Sequence, residues 1–518
     1  MLTAALTGVC RCRNPDACPG NSSNSCSQGY TSNLCGECEA YWGSPRQFVC
    51  RECGKSATIL TLYVLAAVVL LFYTKILCHF TLSSSNTPTG LGPFTPPVQG
   101  PVEETVQQHP HHPQHLQRQP TRAAACVTDI AHVFMFYLQC LWILSSLNAR
   151  FPVSLSAPFH ALEWLFSSSS PRALGIDCIL RDRSHMPVPV QEFLLSMLMP
   201  LAIMLVLLAF ETLAGFCKPY LSRCSARFGY SKTNVKAQFH KLIATGIIVM
   251  STFLPQLLRA VFGLFACVPL DAPVAAPYEA NAVGTFWVRH MSQQCWQGFH
   301  KGLALGAGIP LVLLLCVVWP GSVLVFMPRH RDGSLYSNEL RHYSFLYALY
   351  RPAAAWWEVV VIVQLALLVA ISVFAVNLGT YFGCVVLIAA FFLVFLLLGW
   401  LRPYESRITC AVAIRGALCV FLACFSTLVF MPAGSVSGQV ESGGAYEHYA
   451  VAVGVVVLCM NVAYVVWVGW HVVRVVGWKR MGHKLKSVAG KVMRVNSSRS
   501  AQSGAVPAGR AGKSSDVV

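Results

Sequence analysis

Charge is what this sequence has least of. Only 11% of its 518 residues are Asp, Glu, Lys or Arg, where a soluble domain carries about a quarter. So few charges leave too little to cover a water-facing surface, which excludes an ordinary soluble protein of several domains. Acidic residues are the scarcer sign, 21 against 38 basic ones, for a net charge of +17. Catalytic signatures are missing too: no Walker loop, no His-Glu-x-x-His and no Gly-x-Ser-x-Gly element occurs. On this reading the chain is not an enzyme and needs no cofactor. Residues 1–8 lack the basic start and apolar core of a cleavable signal peptide. Cysteines beginning at position 10 with no lead-in favour a longer N-terminus; the alternative is a first span acting as signal-anchor.

What is present is apolar length. Hydrophobic residues make up 55% of the chain and the mean hydropathy is +0.54. A helix needs roughly 20 apolar residues to cross a hydrocarbon core of about 30 Å. Nine runs approach that: 57–77, 127–147, 192–216, 242–265, 303–326, 356–374, 381–400, 411–431 and 450–470. The fold class expected is therefore an all-α polytopic membrane protein with about nine transmembrane helices and a small disulfide-rich N-terminal module. Pro200 and the Trp319-Pro320-Gly321 step predict kinks. The domains read as a cysteine-rich extracellular module (1–55), a first transmembrane helix (56–78), a Pro/His/Gln-rich cytoplasmic loop (79–126), an eight-helix membrane domain (127–470) and a basic disordered cytoplasmic tail (471–518).

Lys and Arg flanking the spans are retained on the cytoplasmic side. With the N-terminus outside, inner segments hold 23 basic residues and outer ones 10. The location implied is the plasma membrane or another secretory-pathway membrane, N-terminus outside and C-terminus cytoplasmic. The partners implied are the bilayer itself and anionic lipid at the basic tail, where Arg474, Lys479, Arg480, Lys484 and Lys486 follow the last span. Nucleic acid is not an expected partner.

Eight of the 22 cysteines, Cys10, Cys12, Cys18, Cys26, Cys35, Cys38, Cys50 and Cys53, crowd the first 53 residues. An even, dense set outside the cell reads as a disulfide framework that stabilises a segment too short for its own core. Cys35-Gly-Glu-Cys38 with Cys50-Arg-Glu-Cys53 also has the spacing of a four-thiolate zinc site, but zinc ribbons belong to reducing compartments. Disulfides are preferred and no metal is assigned. Cys267 and Cys295 bracket the outer loop between spans four and five, and Cys178 stands in the loop between spans two and three. One pairing among these three is expected, the odd one being free or reaching the N-terminal module. Asn21 heads an acceptor sequence for glycosylation. The His109–His115 run sits among Pro and Gln and reads as a disordered inner loop.

Charges inside spans are costly and so are functional candidates. Glu211, Glu358 and Arg415 lie near the inner face and Arg259 near the outer one; the competing reading is snorkelling to the interface. Glu441 and Glu447 make the loop between the last two spans acidic, with no Lys or Arg. Lys218-Pro219-Tyr220 and Arg402-Pro403-Tyr404 read as anchors at headgroup depth.

The stretch Gly29-Tyr30-Thr31-Ser32-Asn33-Leu34-Cys35-Gly36-Glu37-Cys38 resembles the EGF-like or ephrin-receptor-like cysteine-rich repeats of large algal and protist surface proteins. Those repeats lead into a membrane domain similar to transient-receptor-potential-like channels. Three further stretches resemble that domain: Phe253-Leu254-Pro255-Gln256-Leu257-Leu258-Arg259; Tyr347-Ala348-Leu349-Tyr350-Arg351-Pro352 with Trp356-Trp357-Glu358; and Leu401-Arg402-Pro403-Tyr404. Val363-Gln364-Leu365 departs from the group, where many relatives carry an Arg. The resemblance implies a channel or transport protein, cation-permeable; the acidic loop with Glu441 and Glu447 is then where an outer mouth could concentrate cations, the competing reading being a solvated Gly/Ser loop. The other reading is a surface receptor or scaffold with an unknown extracellular ligand and no conduction. Spans six and seven are almost wholly apolar, so Ser426, Thr427, Asn461 and Tyr464 of the last two spans are the better pore candidates. Gly302, Gly306 and Gly308 in the fifth span permit close packing, and a homo-oligomer, at that surface.

The charge bias makes a topological prediction. Protease added to sealed vesicles removes the tail beyond His471 only from the cytosolic side; cleavage from the lumenal side overturns the orientation.

Overall fold

The computed structural model describes residues 14, 17–18, 25–46, 48–54, 56–85, 122–145, 178–179, 186–222, 235–270, 283–326, 349–378, 380–428, 448–449 and 451–474. Two small hairpins open the chain: β1 (Tyr30–Thr31) with β2 (Glu37–Cys38), and β3 (Trp42–Arg46) with β4 (Val49–Glu52). Tyr30 stands opposite Cys38, and Trp42 opposite Glu52. Long helices follow: α1 (Ser56–Ser85), α2 (Arg122–Ser145), α3 (Val188–Ser222) and α4 (Val235–Phe262). A three-stranded antiparallel sheet then intervenes, β5 (Cys267–Pro269), β6 (Thr285–Trp287) and β7 (His290–Gln294), in the order β5-β6-β7. The remaining helices are α5 (Gly298–Val325), α6 (Trp357–Leu378), α7 (Thr380–Leu401), α8 (Arg407–Ser426) and α9 (Val451–Arg474).

Eight of these helices, α2 to α9, are long and apolar enough to cross a membrane. They coincide with the second to ninth apolar runs of the sequence. The expected first span is also helical, for 30 residues, but its described apolar stretch is the shorter Ala67–Ile76. Helix is the form an apolar run must take in lipid, because every backbone N–H and C=O is then bonded within the segment. The α6–α7 hairpin has a single residue, Gly379, between its helices.

The prolines lie inside helices that continue through them. Pro200 lies within the continuous α3, and Pro255 within α4. In α5 the irregularity precedes each proline: π-helical turns occupy Ala304–Gly308 and Leu314–Val318, two residues before Pro310 and Pro320. A proline lacks the N–H that closes an α turn, and its ring presses on the carbonyl four residues back. The wider turn relieves that pressure, leaving Pro310 and Pro320 at the start of the next α-helical piece, where no N–H is missed.

The core lies where α2, α4 and α6 meet. Trp142, Ile143 and Leu144 of α2, Phe253, Leu254 and Leu258 of α4, and Leu365 and Leu368 of α6 are all buried within it. The face bearing the hairpins is called the module face here and the opposite one the far face; α1 leaves the module face and the helices alternate from there. On the other flank α2, α8 and α9 share a polar seam. The Tyr137 hydroxyl donates to Asn461 Oδ1 at 2.6 Å, and the Tyr464 hydroxyl to the Val412 carbonyl at 3.0 Å. Tyr137 and Tyr464 rings lie 4.6 Å apart. Gly416 makes the approach possible, since a Cβ there would meet the Tyr464 oxygen at 2.7 Å.

Substitution at the seam separates steric from hydrogen-bond effects. Gly416→Leu forces α9 off α8 and costs about 1–3 kcal/mol, the range for overpacking. Tyr464→Phe removes only the hydroxyl and costs about 0.6 kcal/mol, as intramembrane hydrogen bonds do on average. Thermal unfolding of detergent-purified protein tests the order; equal losses refute the close-packing account.

Candidate functional site

The cysteine-rich segment is built to dock. Disulfide Cys26–Cys35 ties the segment before β1 to the turn of the first hairpin, Cys38–Cys50 joins β2 to β4 and so links the two hairpins, and Cys18 is also disulfide-bonded. Asn14 Nδ2 donates to the Phe48 carbonyl at 2.9 Å and to the Tyr30 hydroxyl at 3.2 Å, while Cys50 N–H donates to the same hydroxyl at 3.1 Å. These bonds hold Phe48 at φ 64°, in the left-handed region that a bulky residue rarely adopts. Held there, Phe48 is buried against Ala266, Val268, Phe286, Val288 and Met291 of the β5–β7 sheet. Burying one such ring contributes about 1.5–3 kcal/mol.

A polar hub sits beside that apolar contact. Glu37 Oε1 lies 3.1 Å from His290 Nδ1, accepts the Ser292 N–H at 2.9 Å and accepts the Ser32 hydroxyl at 3.2 Å. Asn33 Nδ2 donates to the Met291 carbonyl at 2.8 Å. Gly36 faces Met291 so closely that a Cβ would stand 2.8 Å from its Cγ. Burial pushes the Glu37 carboxyl up, but the His290 contact, the Ser292 N–H and the Ser32 hydroxyl outweigh it and hold the group below its ordinary range.

Covalent ties complete the junction. Cys53 pairs with Cys178, joining the end of the module to the segment between α2 and α3. Cys267 pairs with Cys295 across the β5–β7 sheet. His300 stands beside that disulfide, and the three side chains offer ligand atoms within 4.8 Å of one another. Both sulfurs are in the disulfide, however. His300 Nδ1 accepts the Trp296 N–H at 3.1 Å and Nε2 donates to the Leu264 carbonyl at 3.0 Å, so the trio packs the junction and holds no open ligand position. Trp287 packs against the His300 ring and donates its indole N–H to the Gly263 carbonyl at 2.8 Å. Through these bonds the sheet is fastened to the end of α4 and the start of α5.

The far face has a second junction, made by two of the stretches singled out in the sequence. Tyr350 and Tyr404 form an isolated antiparallel bridge, Arg351 N–H donates to the Pro403 carbonyl at 2.8 Å, and Glu405 N–H to the Leu349 carbonyl at 3.2 Å. The Tyr350 hydroxyl donates to Glu358 Oε2 at 2.7 Å, and His132 Nε2 of α2 is 3.8 Å from Oε1. Burial first, then the Glu358 charge, raises the acidity threshold of both phenols, so Tyr350 and Tyr404 stay protonated.

The sequence candidates fall in different places. Glu358 is buried in the far-face junction. The Arg259 guanidinium lies over the Trp142 ring, 5.3 Å from its centre, near the module face. Arg415 is exposed and lies over Trp467 at 4.2 Å. These charges are thus spread over three sites, not gathered into one cluster. Glu211 lies on α3, with its side chain outside the described set. Cys10, Cys12, Asn21, Glu441 and Glu447 also lie outside the described residues. The pore candidates are all engaged internally: Ser426 and Thr427 donate to the Ala423 and Cys424 carbonyls at 2.7 and 2.6 Å, and Asn461 and Tyr464 belong to the seam. Glu37, His290 and Ser292 were not singled out, although Glu37 inside Cys35-Gly-Glu-Cys38 was visible as a lone acid between cysteines. No protein-family model, no curated protein and no solved structure matches the chain.

Glu37 gives a pH prediction. Its folded state favours the carboxylate, so the stabilisation is present above the ordinary carboxylate range and is lost as pH falls through the lowered value. Glu37→Gln loses about 1–3 kcal/mol of docking stability above about pH 5. The deficit relative to wild type shrinks as the pH is taken below about 4. Protease release of the module reads the effect; a deficit constant from pH 7 to 3 rules out the charge account.

Proposed function

We propose that the chain is a nine-span surface membrane protein of receptor type, α1 being the first span. The cysteine-rich module outside the cell is the input element, and the α4–α5 hairpin is the first part of the bundle to respond. The carrying observation is the Glu37 hub, in which one carboxylate joins the module to β7 through His290 and Ser292. A module that served only as a tether would be held by Cys53–Cys178 alone. Here a polar, pH-responsive contact is added, directly above the sheet that ends α4 and begins α5. The ligand is unidentified, and the tail on the far face is the cytoplasmic output.

Conduction, as in transient-receptor-potential-like proteins, is the second reading, and one feature favours it. Both π turns of α5 lie in a helix with exposed Leu305, Ile309, Leu313 and Leu314 and with open space over Gly302 and Gly306. Since π turns recur at functional sites, a conducting path in this reading runs between copies packed through α5. The α8–α9 pair is the weaker candidate for that path, since Ser426, Thr427 and Tyr464 already donate hydrogen bonds within the protomer.

Hydrogen exchange and bilayer recording separate the two. His290→Ala and Glu37→Gln are expected to speed exchange in 261–303 by at least tenfold while leaving 380–426 unchanged, with no current from purified protein in planar bilayers. Unchanged exchange at 261–303 reduces the module to a passive cap. Current that depends on α5 substitutions establishes the conducting reading.

A further inference from the structure

The outward side of α8 and α9 carries an arginine to which no described residue supplies a counter-ion. Arg415 is the ninth residue of α8, so its Cα lies about 12 Å along the helix from the far-face end. It is exposed, and among the described residues its guanidinium makes no ion pair; it lies over the Trp467 ring, 4.2 Å from its centre. Neither Arg407–Ser426 nor Val451–Arg474 contains an Asp or Glu, so the two helices that form the surface cannot neutralise it. A charged side chain at that depth costs several kcal/mol unless it reaches a polar partner.

The register of the helices shows where it reaches. Asn461 meets Tyr137 of α2, whereas Tyr464, one turn later, also contacts Phe134, one turn earlier; α9 therefore runs antiparallel to α2, toward the far face. Tyr464 is level with Val412 and Gly416, so Trp467 is nearer the far face than Arg415 itself. The guanidinium over that ring has turned toward the membrane surface. Beyond it on α9 come His471, edge-on to Trp467 at 4.6 Å, and then exposed Arg474; exposed Arg407 begins α8 at the same end. Basic residues thus stand at the far-face ends of both helices, the ends toward which Arg415 has turned. Their nearest acid in sequence is exposed Glu405, in the turn before α8.

We propose that this face binds the net-anionic headgroup of an acidic phospholipid, with Arg415 as the deepest ligand of its phosphate, Arg407 and Arg474 at the interface, and the headgroup's excess negative charge balancing the three bases. The inference rests on the membrane-spanning reading and is independent of whether the module receives a signal. A planar guanidinium suits a phosphate because it donates two parallel hydrogen bonds, and its other face is free to stack on an indole. A lipid fits better than a protein partner because the basic groups lead to the interface, where phosphates lie.

Native mass spectrometry on full-length protein, titrated with phosphatidylserine or with phosphatidylcholine of the same acyl chains, tests this. Wild type is expected to prefer phosphatidylserine about tenfold, and Arg415→Gln to lose that preference, about 1.4 kcal/mol. Arg415→Lys retains part of it, since one point charge replaces the fork. Arg51→Gln, in the outer module, leaves it intact. Should Arg415→Gln fail to fold, Arg407→Gln with Arg474→Gln is expected to reduce the preference severalfold in folded protein. An unaltered preference in the folded variants overturns the proposal. So does equal competition by millimolar inorganic phosphate, which marks a soluble-anion site. Loss of self-association in Arg415→Gln without loss of lipid preference assigns the face to a second copy instead.

Discussion

A hydrogen-bonding group inside an apolar bundle has only the protein to bond to, and this constraint organises the molecule. Leaving such a group unpaired in hydrocarbon costs several kcal/mol. Tyr137, Asn461 and Tyr464 meet it by joining α2, α8 and α9, Ser426 and Thr427 by bonding their own helix one turn back, and Glu358 by accepting from Tyr350. Tyr137, Asn461, Tyr464 and Glu358 are therefore cross-links between elements, whereas among the described residues Trp319 Nε1, Gln364 Nε2 and Thr409 Oγ1 are buried without a hydrogen-bond partner. Arg415 meets it differently, over the Trp467 ring and with no ion pair among the described residues, which is why its surroundings are informative.

The same constraint does not operate outside the bundle, and the module is held by different means. There water competes for every hydrogen bond, so geometry is enforced covalently by Cys26–Cys35, Cys38–Cys50 and Cys53–Cys178. An apolar contact through Phe48 and a multiply bonded carboxylate at Glu37 then select one docked pose. Strain at Phe48 is tolerated because Asn14 and the hairpin fix its backbone.

Much of the bundle was legible from apolar length alone, since a run of about 20 residues has few ways to fold in lipid. The second to ninth runs reappear as candidate spans whose ends lie within a few residues of the expected ones. Local irregularity was less legible: Pro310 and Pro320 acted one turn upstream through π turns, which a reading of proline as a kink does not foresee. The junctions were hardest to read. Glu37 and His290 are 253 residues apart and lack any local pattern. Tyr350 and Tyr404 each stood in a stretch that had been noticed, yet their pairing depends on how α6 and α7 return the chain. Only the packing of distant segments creates such contacts.

The bridge between Tyr350 and Tyr404 also fixes the scale on which this part of the molecule comes apart. Its flanking bonds, Arg351 to Pro403 and Glu405 to Leu349, close the chain from 349 to 405 into a ring containing both helices of the α6–α7 hairpin. Neither helix can fray from the far face by itself, because each end is sewn to the start of the other. Their opening is concerted, a single cooperative unit whose rarest fluctuation releases about fifty residues at once.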